Sequence, residues 1–276
     1  MLRTRRGEPA AGVPSGSLRR ALAALCVTEI VSYGVIYYAF PVLATQITAG
    51  TGWSRTAVTA AYSAGSLAGA AAGILAGRLL HRRGPRAVMT AGSVLGAVSV
   101  AGIAAAPSYW WFRTAWLAAG VASAGLFYPP AFAALTVWYG PRRVQALTAL
   151  TLAAGFASTI FAPLTAALSG QVGWRGTYLI LAAVLAAITI PAHALALRPP
   201  WPRPTASAAE ASTVALTEEI AAHPADRYVL ASRAFVQLAS AATLCAFAQY
   251  AALVNLVPLL TGRSGTRSST ACSTPR

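Results

Sequence analysis

The chain contains no lysine; all 21 of its basic residues are arginine. A rhodopsin-type protein needs a lysine amine for its Schiff base, so that class is excluded. Acidic residues are nearly as scarce, with six in 276 residues, which leaves no paired carboxylates for general acid–base work. Histidine numbers three and cysteine three. No CxxC, HExxH, Walker or dinucleotide-binding pattern occurs, so no metal site, no cofactor and no enzyme activity are expected. Cys26 and Cys245 fall in apolar surroundings and Cys272 in a polar tail. That placement offers no disulfide framework, and the first two read as small hydrophobes.

What fills the chain instead is apolar sequence. It is 57% hydrophobic and only 10% charged, with a mean hydropathy of +0.59, where a soluble domain carries about 25% charge. Seven apolar blocks, 21–47, 56–77, 87–107, 114–138, 145–169, 177–197 and 234–260, each reach the roughly 20 residues that a helix needs to cross a bilayer. The first is too long for a signal-peptide core. The expected fold class is an all-α polytopic membrane protein.

A net charge of +15 could suggest a nucleic-acid partner, but the arginines gather at block ends. Fifteen lie before block one and in alternate connections, among them Arg19, Arg20, Arg78, Arg82, Arg83, Arg86, Arg142, Arg143 and Arg198. The opposite connections hold one each: Arg55, Arg113 and Arg175. Basic residues near helix ends resist translocation. The bias therefore predicts a cytoplasmic N-terminus in the cell membrane, a lipid bilayer as surroundings and no nucleic acid. A receptor with its N-terminus outside runs against it.

Five segments follow: a disordered lead at 1–19, a six-helix domain at 20–198, a cytoplasmic linker at 199–233, a seventh transmembrane helix at 234–261 and a polar tail at 262–276. The linker opens proline-rich and holds four of the six acidic residues, Glu210, Glu218, Glu219 and Asp226, as a solvated connection does. Two short sequences recur. GPRAV at 84–88 returns as GPRRV at 140–144, and GWSRT at 52–56 returns as GWRGT at 173–177. Each pair lies on one expected side of the membrane, so they read as side-specific turns, Gly-Pro-Arg for stop and restart and Trp as interfacial anchor.

Glu29 is the only acidic residue inside the first six blocks. It lies about 12 Å along the first helix at 1.5 Å per residue, where a carboxyl is expensive unless it faces the bundle interior or water. Tyr33 and Tyr37 follow at spacings of four on the same face. Tyr128 precedes Pro129 and Pro130, which must break or kink the fourth helix. Ser158, Thr159 and Pro163 form a polar, kinked spot in the fifth, and Gln249, Tyr250 and Asn255 are the polar groups of the seventh. Gly65, Gly69, Gly73 and Gly77 recur every four residues, a face on which helices pack closely in lipid.

The stretch GRLLHRRGPR, residues 77–86, resembles the signature loop G-x-x-x-D-R-x-G-x-R between helices 2 and 3 of the major facilitator superfamily. Gly77, Arg82, Gly84 and Arg86 match, and His81 stands where the family has aspartate. YGVIYYAFPVLA at 33–44, GWSRTAV at 52–58, AGFASTIFAPLTAAL at 154–168 and GWRGTYLILA at 173–182 are similar to the monocarboxylate and oxalate/formate branch. The family's helix-4 motif places arginine four residues before a glycine, where this chain has Trp116 before Gly120.

The resemblance implies alternating-access transport of a small organic anion, coupled to protons or to anion exchange. In that family helices 1, 4, 5 and 7 line the central cavity, so it implies Glu29, Tyr33, Tyr37, Tyr128, Ser158, Thr159, Gln249 and Asn255 as substrate or coupling candidates. Gly73, Gly77, His81, Arg82, Gly84 and Arg86 are the corresponding conformational candidates. The superfamily has twelve helices in two halves, and seven blocks here read as a first half plus one helix. The expectation is a C-terminally truncated product that inserts but carries no substrate alone. The alternative is a non-transporting scaffold or a half-transporter needing a complementary half.

Overall fold

The computed structural model describes residues 15–202 and nine residues between 232 and 248. The chain divides into Met1–Arg203 and Pro204–Arg276. In the second unit, the described residues Val236, Gln237, Ser240, Ala241, Thr243, Leu244, Cys245 and Ala248 are helical, and Val236 and Leu244 are exposed. The rest of the expected linker and seventh helix, with Gln249, Tyr250 and Asn255, and the tail with Cys272, lie outside the described residues.

In the first unit three helical runs, Gly16–Thr51, Arg55–Ala104 and Tyr109–Ala196, are long and apolar enough to cross a bilayer. Among the described residues there is no strand. The runs divide further because glycine takes backbone angles that other residues avoid. Gly84 (φ 79°, ψ 169°) breaks the second run. Gly140 (φ 49°) and Gly173 (φ 67°) break the third. Six rods result: 16–51, 55–83, 85–104, 109–139, 143–172 and 174–196. They correspond one for one to the first six apolar blocks.

Among the described residues, four glycines have positive φ: Gly52, Gly84, Gly140 and Gly173. These are the four glycines that open the recurrent Gly-Trp and Gly-Pro-Arg sequences. Each pair does the same job at its own end of the bundle. Gly52 ends the first rod in a left-handed cap, its N–H donating to the Thr48 carbonyl at 3.0 Å. Gly84 is followed by Pro85, which restarts a helix without needing an N–H partner.

Neighbouring rods run up and down. The third opposes the fourth, with Gly92 against Gly125 and Gly102 against Ala115. It also opposes the sixth, where Ser93 meets His193 and the Ala104 carbonyl accepts from Arg175 Nη1 at 2.7 Å. One end gathers Leu18, Met89, Trp138, Ala146 and Leu197 in a buried cluster. The rest of the bundle shares a second core containing Phe40, Phe112, Trp116, Phe161, Trp174 and Tyr178. Arg19, Arg20, Arg78, Arg82, Arg83, Arg86, Arg142, Arg143 and Arg198 therefore sit at the first end, and Arg55, Arg113 and Arg175 at the other. Trp116 is an aromatic hub, edge-on to Phe40 at 5.3 Å and to Tyr62 at 5.0 Å.

Three boundaries need correction. The helix begins at Ser15, so residues 15–19 belong to the first rod and not to a disordered lead. The connection expected over 78–86 is a hinge at Gly84 alone, because the second rod continues through Arg83. Residues 199–202 are not solvated linker. Pro199 is buried, the Pro200 carbonyl accepts from Trp138 Nε1 at 3.2 Å, and Trp201 packs on Gly84 while its Nε1 donates to the His81 carbonyl at 3.4 Å. This strap crosses the hinge and the end of the fourth rod.

The glycine face of the second rod is also two different surfaces. A Cβ at Gly65 would overlap the Trp116 carbonyl, and one at Gly120 would overlap the Gly65 backbone, so the second and fourth rods touch main chain to main chain. Gly73 and Gly77 have no foreign atom within 4 Å and are exposed. Gly120→Ala is expected to destabilise the bundle by about 1–3 kcal/mol through overpacking, whereas Gly73→Ala leaves it unchanged or slightly more stable. Thermal unfolding of the two variants in the same detergent checks the contrast, and equal effects would refute it.

Candidate transport site

The first and fourth rods both depart from α-helix where they meet. In the first, Tyr33–Tyr38 is a π-helix, the kind of irregularity that inserts an extra residue and recurs at functional sites. In the fourth, the α-helix stops at Leu126, Phe127 is extended (φ −87°, ψ −175°), and a new helix starts at Tyr128 with a proline in its first turn. The break expected from Pro129 and Pro130 is therefore present, placed just ahead of them. Prolines cost nothing there, because first-turn N–H groups lack helical acceptors.

The two irregularities bring aromatic rings together. Tyr33 stacks on Phe127 with centroids 4.1 Å apart and lies 4.9 Å from Tyr128. Tyr37 sits edge-on to Tyr33 at 6.1 Å and to Tyr38 at 4.9 Å. Tyr128 stacks on Phe132 at 4.9 Å. The tyrosines are half-buried. From the fifth rod, the Phe161 ring occupies the space a side chain at Gly34 would need. The absence of a Cβ there lets the fifth rod close on the π segment.

One turn from Tyr33, Glu29 is 0% exposed, and neither carboxyl oxygen has a hydrogen-bond partner. Ser32 Oγ beside it is buried and likewise unpartnered. Glu29 lies within electrostatic reach of Tyr128 and Cys26. Desolvating an unpaired carboxyl is costly, and such groups in membrane proteins mark functional sites more often than structural ones. The sequence candidates thus separate. Glu29, Tyr33, Tyr37 and Tyr128 converge. Ser158 is half-buried and Thr159 exposed on the fifth rod. Gln249 and Asn255 lie outside the described residues.

The loop-motif residues form a separate surface. Gly73, Gly77 and His81 share a cavity of about 520 Å³ with Pro129, Pro130, Thr136 and Trp201. His81, in the aspartate position, is exposed, as are Arg82 and Arg86. Glu29 is the only carboxylate between residues 15 and 202, so no acid on these rods answers the arginines.

Sequence reasoning passed over His193, a solitary histidine with no other ligand type near it in the chain. It is 0% exposed and joins three rods. Its Nδ1 lies 2.8 Å from Ser93 Oγ and its Nε2 3.0 Å from Thr28 Oγ1. Ser93 Oγ is also 2.8 Å from the Met89 carbonyl and Thr28 Oγ1 3.1 Å from that of Leu25. A hydroxyl has one hydrogen to give. While both hydroxyls donate to carbonyls, both ring nitrogens must donate. A neutral ring takes a hydrogen from one hydroxyl, which then releases its carbonyl. The available signal was that His193 is the only titratable side chain in the sixth rod besides Tyr178 and Arg175.

The sequence profile of the Major Facilitator Superfamily matches residues 25–273. The chain belongs to this superfamily. No curated protein matches it. Membership of the superfamily explains the apolar rods as transmembrane helices of a protein that moves a small solute across a bilayer, a family of transporters and not of enzymes. In major facilitator folds, six-helix halves rock against each other about a site near the membrane midplane. The Tyr33–Phe127–Tyr128 junction is where this superfamily member interrupts two of its helices, and irregular backbone at membrane depth is tolerated where it is buried in protein or lines a cavity.

His193→Phe keeps a planar aromatic ring and removes both polar contacts. Two hydrogen bonds at about 0.5–1.5 kcal/mol each give an expected loss of about 1–3 kcal/mol. Denaturation of the detergent-solubilised protein measures it, and an unchanged midpoint would show that the network contributes nothing.

Proposed function

We propose that this bundle is the N-terminal half of an alternating-access transporter for a small, monocarboxylate-like organic anion, with its arginine-rich end in the cytoplasm. The observation that carries the reading is the aromatic junction beside a buried, unpartnered Glu29. Tyr33, Tyr37 and Tyr128 supply amphipathic walls, and Glu29 is the one acid able to exchange a proton among the transmembrane rods. Glu29 is assigned to proton coupling and the tyrosines to substrate contact. Net positive charge at one mouth draws anions toward that side. The sequence resemblance to the monocarboxylate and oxalate/formate branch supports the anion class.

The exposed Gly73–Gly77 surface is assigned to sliding contact with an opposing bundle. Alternating access needs two bundles, and the described rods make one. Flux therefore requires a complementary half, whether from further sequence or from another chain.

Sidedness has a direct test. In a background with Cys26, Cys245 and Cys272 replaced by alanine, Arg82→Cys is expected to react with an impermeant thiol reagent in inside-out vesicles and not in intact cells; labelling from outside would reverse the topology. The transport reading is tested in proteoliposomes. The 276-residue chain alone is expected to give no saturable organic-anion uptake, and a chimera joining this bundle to a complementary six-helix half is expected to give it. Saturable uptake by the chain alone would overturn the need for a partner, and a silent chimera that is correctly folded would overturn the transport reading. In the active chimera, Glu29→Gln is expected to change the dependence of uptake on pH. An unchanged profile would remove Glu29 from coupling and leave the rest standing.

A further inference from the structure

A groove runs along the face of the third rod away from the aromatic junction. It has a volume of about 640 Å³ and is lined by Arg83, Arg86, Ala87, Thr90, Val94 and Ala194 among others. Its chemistry is graded. At the head are two exposed guanidinium groups flanking the Gly84 hinge. Down the rod follow small or aliphatic side chains, with Ala87, Ala91 and Val94 exposed along one helical stripe. Between the two regions the Thr90 hydroxyl is buried without a hydrogen-bond partner.

Among the described residues no acid faces the arginines at the head, because Glu29 is the only one and it is enclosed. At the opposite end of the bundle the arginines are tied down: Arg175 donates to a carbonyl and stacks 4.4 Å over Trp174, and Arg113 lies over Trp110 at 5.5 Å. Arg83 and Arg86 have no such contacts among the described residues. A guanidinium pair favours phosphate oxygens, and an apolar stripe extending toward the bilayer centre suits a hydrocarbon tail.

From this juxtaposition we infer that the groove is a binding site for one anionic phospholipid, its phosphate held by Arg83 and Arg86 and an acyl chain lying along Ala87, Ala91 and Val94. The site brackets the Gly84 hinge, so the bound lipid holds the connection between the second and third rods at the membrane surface. It depends only on the chain being embedded in a bilayer and not on which solute is carried.

Native mass spectrometry of the full chain, released from detergent with equal phosphatidylglycerol and phosphatidylcholine, reads the headgroup preference of the first bound lipid. Each arginine near an anionic headgroup is worth about fivefold, so the wild type is expected to favour phosphatidylglycerol by about thirtyfold on two arginines. R83Q/R86Q is expected to abolish that preference, and R142Q/R143Q, at the same end but outside the groove, to retain it. Val94→Trp keeps every charge and fills an exposed part of the groove, so it is expected to weaken phosphatidylglycerol retention several-fold without loss of folding. No preference in the wild type, equal loss in both arginine pairs, or full retention in Val94→Trp would each overturn the assignment. So would displacement of the lipid by glycerol phosphate, which has a headgroup and no tail, or a chain dimer that excludes lipid and dissociates in Val94→Trp.

Discussion

In hydrocarbon a backbone N–H or C=O has no water to turn to, so each rod must satisfy its own main chain. That constraint makes any departure from the helix expensive, and this bundle concentrates its departures at a few places. Five are turns; in four of them glycine alone accepts the backbone, and the fifth, residues 105–108, has none. The other two are the π segment at Tyr33–Tyr38 and the extended Phe127, and these face each other. Two interruptions at one level open a non-uniform wall, and the side chains that fill it are aromatic. The placement of Glu29 beneath it follows from the same logic, since a carboxyl at that depth needs an interior position.

Close packing supplies what hydrophobicity cannot between helices already in lipid. Gly65, Gly120, Gly92 and Gly125 let the second, third and fourth rods meet through their main chains, while Gly34 lets the Phe161 ring enter against the π segment. The same residue type has the opposite role at Gly73 and Gly77, where no neighbour approaches. A surface that is smooth and uncovered is suited to movement, and the strap from Leu197 to Pro202 borders it through Trp201. Rigid glycine contacts near the Arg55 end and an open glycine surface near the Gly84 hinge coexist on one rod.

Much of the candidate site was legible in residue type and spacing. Glu29, Tyr33 and Tyr128 stood out because polar groups are rare in apolar blocks, and the prolines after Tyr128 announced a break. His193 was undervalued for a physical reason. Its partners Ser93 and Thr28 are 100 and 165 residues away, and a serine or threonine in a membrane helix ordinarily bonds its own preceding turn. The Trp201 strap was missed because proline-rich sequence reads as solvated. The signal available was a lone tryptophan amid prolines, an indole with both an apolar face and an N–H to place.

By itself the sequence determined the number and order of the first six rods, the four glycine turns and the segregation of arginine, because bilayer thickness and the cost of moving charge across it act on composition along the chain. It also carried the superfamily, through residues local to one hinge and a few helix segments. The tertiary structure alone decided which glycines touch and which lie open, that Phe127 rather than a proline leaves the helix, and that one histidine joins three rods. Those outcomes depend on rotation and crossing of neighbouring helices. In lipid these are set by pairwise surface fit between distant segments, a quantity that no single segment contains.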